Sequence, residues 1–284
     1  MTERRLRSTL LSSSYDSPAG TVTPAPRAAW DRLLHLLFPA PCLSCERPLP
    51  TGRRALALCL PCRGRLLRCR ACHCAGCGLS LAPSPGTARY QLCTACSLRP
   101  PACRRIWTPW IYGPPLAEVL QAFKFGRLDY LGRDLAESAL EEIGCVLEEA
   151  EVVVPVPLHW RRRMERRFNQ AEAIAQPLAR ALRRPMVQAL RRRQATRPQT
   201  SLPRRERLRN PRRAFVARRR QGQRVAGRRV LLVDDVLTTG ATLEAAARSL
   251  QRAGAREVLG LAIARSLPLP EPGAVNPGAE TPRK

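Results

Sequence analysis

Lysine is almost missing from this 284-residue chain: only Lys124 and Lys284 stand among 49 basic residues. Set against 22 acidic residues, the arginines leave a net charge of +27. Such an excess attracts polyanions, nucleic acid or phosphorylated small molecules, through long-range attraction and counterion release. GC-rich coding produces the same arginine bias with no partner involved. Long hydrophobic runs are missing too. No segment reaches the roughly 18 consecutive apolar residues of a membrane-spanning helix. The opening residues, MTERRLRSTLLSSSYDSPAG, have basic side chains but no apolar stretch of about 7–15 residues, which argues against a secretory signal. The expected location is the cytoplasm. Aromatic residues are thin at 5%, although the apolar content of 44% is ordinary for a globular protein. Cysteine, by contrast, is abundant. In a reducing compartment, twelve cysteines argue for metal rather than disulfides.

Residues 1–29 are rich in Ser, Pro and Arg without periodicity and are expected to form a disordered tail. Trp30, Leu33, Leu34 and Leu37 then recur at helical spacing, up to Pro39 and Pro41. Eleven of the twelve cysteines follow, between Cys42 and Cys103. Beyond Trp107, helix-like stretches (LAEVLQAF, YLGRDLAESALEEIGCVLEEA, NQAEAIAQPLARALRR, TLEAAARSLQRAG) alternate with strand-like ones (EVVVPVP, RRVLLVDDV, EVLGLAIAR). That alternation implies an α/β domain with a parallel sheet between helices. The Pro/Gly-rich end, residues 267–284, is again expected to be disordered. The expected division is a cysteine-rich domain over 30–106 and an α/β domain over 107–266.

Two CxxC knuckles, Cys42/Cys45 and Cys59/Cys62, are separated by thirteen residues; Cys74/Cys77 and Cys93/Cys96 are separated by fifteen. Each set of four thiolates can close a tetrahedral Zn²⁺ shell, and four protein ligands leave the metal no open position, so both centres are expected to be structural. A region this poor in apolar residues needs such a metal to fold. Gly78 suits the turn after its knuckle, whereas Glu46 fits the equivalent place less well. Cys69, Cys72, His73 and Cys103 are either further ligands or spare side chains, and an iron–sulfur cluster also uses four thiolates.

Near the end of the chain, VLLV has the four consecutive apolar residues of a strand buried on both faces, and Asp234 and Asp235 follow directly. The carboxyl ends of strands are where open α/β sheets bind ligands. Next, Thr238, Thr239, Gly240, Ala241 and Thr242 offer backbone N–H groups and three hydroxyls. Leu243, Ala246, Ala247 and Leu250 place a helix start near Ala241, with its free N–H groups and positive dipole end toward the loop. A phosphate fits there. Carboxylates would repel that phosphate, so they are expected to accept hydrogen bonds from sugar hydroxyls on the same ligand. The competing reading is a helix cap without a ligand.

Residues 230–242 resemble the ribose-phosphate signature of type I phosphoribosyltransferases at all thirteen positions. With the double cysteine motif, LQAFKFGRLDYLG, VVPVPLHWRRRMERRFNQAEAIA and RPQTSLPRRERLRN, the chain is similar to the ComF (competence protein F, GntX-like) family over roughly residues 30–265. The resemblance implies a type I phosphoribosyltransferase-like α/β domain preceded by a small double zinc ribbon. It implies phosphoribosyl pyrophosphate (PRPP) with Mg²⁺ as ligand, Asp234 and Asp235 on the ribose, and 238–242 on the 5-phosphate. Pyrophosphate is expected against Arg163, Arg166, Asn169 and Gln170, more weakly His159, with Lys124 as a further contact. Here the family's Arg-Gly-Phe-Asn-Gln reads Arg166-Arg167-Phe168-Asn169-Gln170, which puts a close backbone approach in doubt. An oxocarbenium-like transition state needs an electrostatic cradle more than a strong base, so the lack of histidine near the motif is no obstacle. The family is associated with DNA uptake. The alternative is therefore a non-catalytic adaptor for single-stranded DNA and DNA-uptake proteins, keeping the pocket only to bind a ligand.

Overall fold

The computed structural model describes residues 40–49, 55–69, 74, 76–77, 81, 91–126, 128–158, 168–192 and 214–267. The two expected tails, the helix around Trp30, and His159, Arg163, Arg166, Cys72, His73 and Gly78 lie outside the described residues, apart from Leu267 at the head of the second tail. Two short helices, α1 (Leu60–Gly64) and α2 (Thr94–Leu98), each start directly after the first cysteine of a second knuckle. Strands β1 (Arg105–Trp107) and β2 (Trp110–Ile111) come next, then helices α3 (Leu116–Phe125) and α4 (Leu131–Leu147). Strand β3 (Val152–Pro155), helix α5 (Gln170–Ala181), strands β4 (Leu190–Arg192) and β5 (Phe215–Ala217) and the single turn α6 (Arg219–Gly222) follow. The chain closes with β6 (Arg229–Leu237), α7 (Ala241–Arg252) and β7 (Glu257–Arg265).

Apolar spacing explains the helices. Leu116, Val119, Leu120 and Phe123 form one buried face of α3, and Leu243, Ala246, Ala247 and Leu250 form one of α7. The sheet runs β1-β7-β6-β3, with β2 also on β7, and every pairing in it is parallel. Along β6, Leu231 and Val233 join one core with α3, α4 and α5, while Val230 and Leu232 join a second core with α7. Alternate side chains thus leave opposite faces of a fully covered strand, which is why VLLV is apolar throughout. Each such burial stabilises the fold by about 1.5–3 kcal/mol.

Three features differ from the sequence reading. The strands β1 and β2 were not anticipated, and β1 starts two residues before the expected boundary at Trp107. Within the arginine-dense stretch after residue 190, β4 and β5 pair antiparallel, Leu190 opposite Ala217. Finally, the described residues of the cysteine-rich segment and of the sheet fall in one compact unit. Cys42, Leu49, Leu56, Leu58 and Cys62 share the first core with Leu131 and Leu135 of α4, and the Leu56 N–H donates to Asp134 Oδ2 at 3.0 Å. Among the described residues, no helix is long and apolar enough to cross a membrane.

Candidate ribose-phosphate site and cysteine centres

β6 does not stop at its acids. Its pairing with β7 continues through Val236 and Leu237, opposite Ala264 and Arg265, whereas β3 leaves it at Pro155 opposite Val233. Asp234 and Asp235 therefore lie beyond the end of β3, and Asp234 is paired with Ala262 on the β7 side. Asp235 lies on the side of β6 that faces α3. There Lys124 Nζ meets Asp235 Oδ2 at 3.1 Å, both side chains being less than one-fifth exposed. The Asp235 N–H donates to Asp234 Oδ1 at 2.9 Å and the Val236 N–H to Asp235 Oδ1 at 2.7 Å. Burial pushes the Asp234 carboxyl up to about 8, and the negative charge of Asp235 adds to the rise against the lowering effect of Lys124. With Asp234 protonated and Asp235 offset by Lys124, the pair presents little net negative charge to a phosphate next to it.

The following loop carries Thr238 and Thr239 exposed and Gly240 buried. Gly240 is the N-cap of α7 with φ 76°, a left-handed conformation that favours glycine. A Cβ there would stand 3.7 Å from the Cys77 carbonyl oxygen, so the second cysteine segment backs the loop. Ala241 and Thr242 open α7 half-buried, and the Ala241 N–H reaches Thr239 Oγ1 at 3.4 Å. The same helix is held from outside. The Ala102 N–H donates to Glu244 Oε2 at 2.8 Å, and Gln251 Nε2 donates to the Ala102 carbonyl at 3.0 Å.

Of the expected pyrophosphate residues, Asn169 and Gln170 are described. Asn169 Nδ2 donates to the Val156 carbonyl at 3.1 Å, joining the end of β3 to the start of α5. Asn169 Oδ1 and both amide atoms of Gln170, which is 2% exposed, are buried without a hydrogen-bond partner among the described residues. Phe168 packs on Phe123, ring centroids 5.4 Å apart, so the start of α5 and the end of α3 that carries Lys124 converge on the same edge of the sheet.

The thiols gather in two quartets, Cys42/Cys45/Cys59/Cys62 and Cys74/Cys77/Cys93/Cys96, with Sγ atoms all within 4.8 Å of one another in each. Sγ–Sγ distances of 3.6 Å (Cys45–Cys59) and 3.8 Å (Cys77–Cys93) match the edge of about 3.8 Å that a tetrahedron with Zn–S of about 2.3 Å requires. Backbone N–H groups point at the sulfurs, Cys59 to Cys42 at 3.4 Å and Cys93 to Cys74 at 3.2 Å. In the first quartet burial works to raise Cys42, but N–H groups from Cys45, Cys59 and Ser44 outweigh it and bring it down to about 6. Cys62 is pushed up to about 12 by burial and by its neighbouring thiols. Four thiols this close ionise together only around a cation, so both quartets fit Zn²⁺. Glu46 does take the turn after its knuckle at φ 60°, the strained position expected to suit it poorly. Two extra thiols stand apart from the quartets. Cys69 accepts a hydrogen bond from Thr108 Oγ1 at 3.4 Å, and Cys103 lies fully buried in the second core with Sγ 4.0 Å from the Leu243 carbonyl.

With that geometry in place, comparison with known proteins agrees with it. Residues 169–265 match the model of the phosphoribosyl transferase domain. DNA utilization protein YhgH of Escherichia coli (strain K12) is 34% identical over 238 residues, 82% of this chain and 100% of the relative. The chain belongs to the ComF family. Competence protein F of Haemophilus influenzae is 30% identical over 222 residues, 73% of this chain and 96% of its own. An adenine phosphoribosyltransferase of Clavibacter michiganensis is 61% identical over a stretch of 46 residues, 16% of this chain and 26% of the relative. As a ComF-family protein, the chain joins a phosphoribosyltransferase-type parallel sheet to a cysteine-rich segment consistent with zinc ribbons. Sequence reasoning missed one residue of this neighbourhood, Arg265, which is 5% exposed at the end of β7. A charged residue directly after the uncharged run VLGLAIA was the signal in the sequence.

Proposed function

We propose that this chain binds PRPP, or another ribose-phosphate ligand, at the end of β6. The observation that carries the reading is the pair Asp234/Asp235 directly before a loop whose Gly240, at φ 76°, opens the N-terminus of a twelve-residue helix. In this reading Asp234 and Asp235 hold the ribose hydroxyls. The N–H groups and hydroxyls of Thr238, Thr239, Gly240, Ala241 and Thr242 take the 5-phosphate. Asn169 and Gln170, the latter with a buried Nε2 donor that has no partner among the described residues, receive pyrophosphate together with Arg163 and Arg166 from the preceding segment. Lys124 is engaged with Asp235, so it reaches pyrophosphate only by leaving that pair. Mg²⁺ belongs with the ligand's own pyrophosphate, hydroxyls and water; it supplies charge neutralisation and requires no protein cage.

Turnover needs an acceptor for the ribosyl group, and DNA handling is the second reading. The relatives' names, DNA utilization protein and competence protein F, and the arginine excess favour it. Calorimetric titration with PRPP and Mg²⁺, repeated with single-stranded DNA present, separates the two. Heat on adding PRPP alone, reduced when Asp234→Asn and Asp235→Asn are combined, supports the pocket. A hydroxyl bond to the charged Asp235 contributes on the order of 1.5–3 kcal/mol and one to the protonated Asp234 less, so the double substitution weakens binding by about tenfold or more. No heat with the wild-type protein sinks the reading. Pyrophosphate release would mark an enzyme, and stoichiometric binding without it an adaptor.

A further inference from the structure

A closed path of short contacts joins the loop at Gly240 to the second cysteine quartet. From Gly240 the path runs to the Cys77 carbonyl oxygen, 3.7 Å from where a Cβ on Gly240 would stand. Cys77 ends a knuckle whose third residue, Gly76, presses on Pro101. A Cβ on Gly76 would meet Pro101 Cγ at 2.5 Å, closer than packed atoms tolerate. Pro101 leads into Ala102, which is 6% exposed, and side chains of α7 take both of its backbone polar groups. The N–H goes to Glu244 Oε2 at 2.8 Å, and the carbonyl accepts Gln251 Nε2 at 3.0 Å. The Glu244 N–H donates to the Gly240 carbonyl at 2.9 Å, which returns the path to the loop. A carboxylate one turn into α7 would oppose a phosphate at the helix start, but Arg248 Nε holds Oε1 of Glu244 at 2.6 Å, so both oxygens are engaged. The knuckle has little apolar support of its own. Among the described residues, its cluster comprises Cys74, Cys93 and Cys96, with Cys77 and Leu81 packed against them.

We propose that the Cys74–Cys77 knuckle braces the phosphate-binding loop: the second quartet, closed around its metal, holds Gly240 and the start of α7 in the form that receives the 5-phosphate. A helix start binds an anion best when its N–H groups converge before the ligand arrives, because ordering them on binding subtracts from affinity. With so small an apolar cluster, the knuckle keeps its place on Pro101 and behind Gly240 through the metal. Gly76 and Glu244 are then positioning residues, acting through Cys77 and Ala102. The effect is reciprocal: the factor by which zinc tightens ligand binding is the factor by which ligand tightens zinc binding. The inference rests on the ribose-phosphate reading of the loop and the zinc reading of the quartet.

The test is calorimetric titration of the full, zinc-loaded chain with PRPP and Mg²⁺. Gly76→Ala, which forces the knuckle off Pro101, should weaken PRPP binding by about fivefold or more. Glu244→Ala and Glu244→Gln lose the same charge, and only the glutamine keeps an acceptor for the Ala102 N–H. The alanine variant should therefore bind PRPP about two- to tenfold more weakly than the glutamine variant, a difference that loss of charge alone does not produce. A Gly76→Ala protein that folds by circular dichroism, keeps both zinc ions and binds PRPP like the wild type overturns the proposal. Should that variant lose zinc or fail to fold, chelator competition on the wild type decides. PRPP should tighten one zinc of two by about fivefold or more, with the Asp234→Asn/Asp235→Asn chain as the control for zinc taken up by PRPP itself. No change in either zinc affinity overturns the proposal as well. A wild type that binds no PRPP removes the pocket reading and this inference with it. One that binds PRPP while holding zinc only at the first quartet overturns the inference alone.

Discussion

Lys124 and Asp235, 111 residues apart in sequence, meet at 3.1 Å where the end of α3 reaches the end of β6. The contact puts a cation against one of the two acids of the candidate ligand site. It also makes α3 part of that site.

Truncating this lysine should therefore affect stability and binding together. Lys124→Met leaves Asp235 half-buried without its cation, at a cost of about 1–3 kcal/mol. Asp235→Asn in the same chain should recover part of that loss, and a double-mutant cycle by urea denaturation measures the coupling directly. Strict additivity of the two substitutions would mean that the pair contributes nothing. PRPP should raise the melting temperature of Lys124→Met less than that of the wild type.

The carboxyl of Asp234 is raised from 3.8 to about 8, burial being the largest cause. In the unfolded chain it ionises near its ordinary value, while the folded chain keeps the proton. Its favourable contribution is complete below the unfolded value and is lost as pH rises through that window toward the folded one. Asp234→Asn ionises in neither state. Its stability advantage over the wild type should thus grow from acid to neutral pH and level off in mild alkali, as denaturation midpoints at about pH 5, 7 and 9 would reveal. A constant difference across that range would contradict the assignment.

Replacing Cys59 by Ser should lower bound zinc from two ions to one. The damage should not stay in the first quartet, because Leu56 and Leu58 pack into the core of α4 and the Leu56 N–H is held by Asp134. Elemental analysis and the denaturation midpoint of the sheet, measured on the same preparation, should fall together. A variant with one zinc and an unshifted midpoint would show that the two parts are energetically independent.

If single-stranded DNA binds, its affinity should fall steeply between about 50 and 200 mM salt, because arginine–phosphate contacts release counterions. Fluorescence anisotropy at several salt concentrations gives the slope. A flat response, or no binding at low salt, would leave the arginine excess to coding bias.

The parts that could be read from sequence were those whose chemistry is local. Knuckle spacing brings two thiols of each quartet together within four residues, and VLLV followed by Asp234, Asp235 and the Thr/Gly run announces a buried strand, two acids and a helix start in one stretch. What stayed hidden depends on contacts across the chain. Nothing near Lys124 signals Asp235, and nothing near Leu56 signals Asp134. Strands β1 and β2, three and two residues long, are too short to show alternation. The arginines around β4 and β5 obscured another pairing, in which Arg192 lies over the Phe215 ring at 5.4 Å. The strand-like stretch RRVLLVDDV stopped one residue short of the end of β6, which β7 continues to pair as far as Leu237.

The sheet order also governs the sequence of events during synthesis. β7 emerges last of the described strands, yet it lies inside the sheet, with β1 and β2 along one side and β6 along the other. Until Glu257–Arg265 leaves the ribosome, the two early strands next to the cysteine-rich segment have no neighbour in the sheet to pair with, and only β3 and β6 can join. The nascent chain therefore carries two waiting strands from Ile111 onward, joined after Leu237 by an open β6 edge, until Glu257–Arg265 is made. Its final nine-residue strand closes both gaps in one insertion.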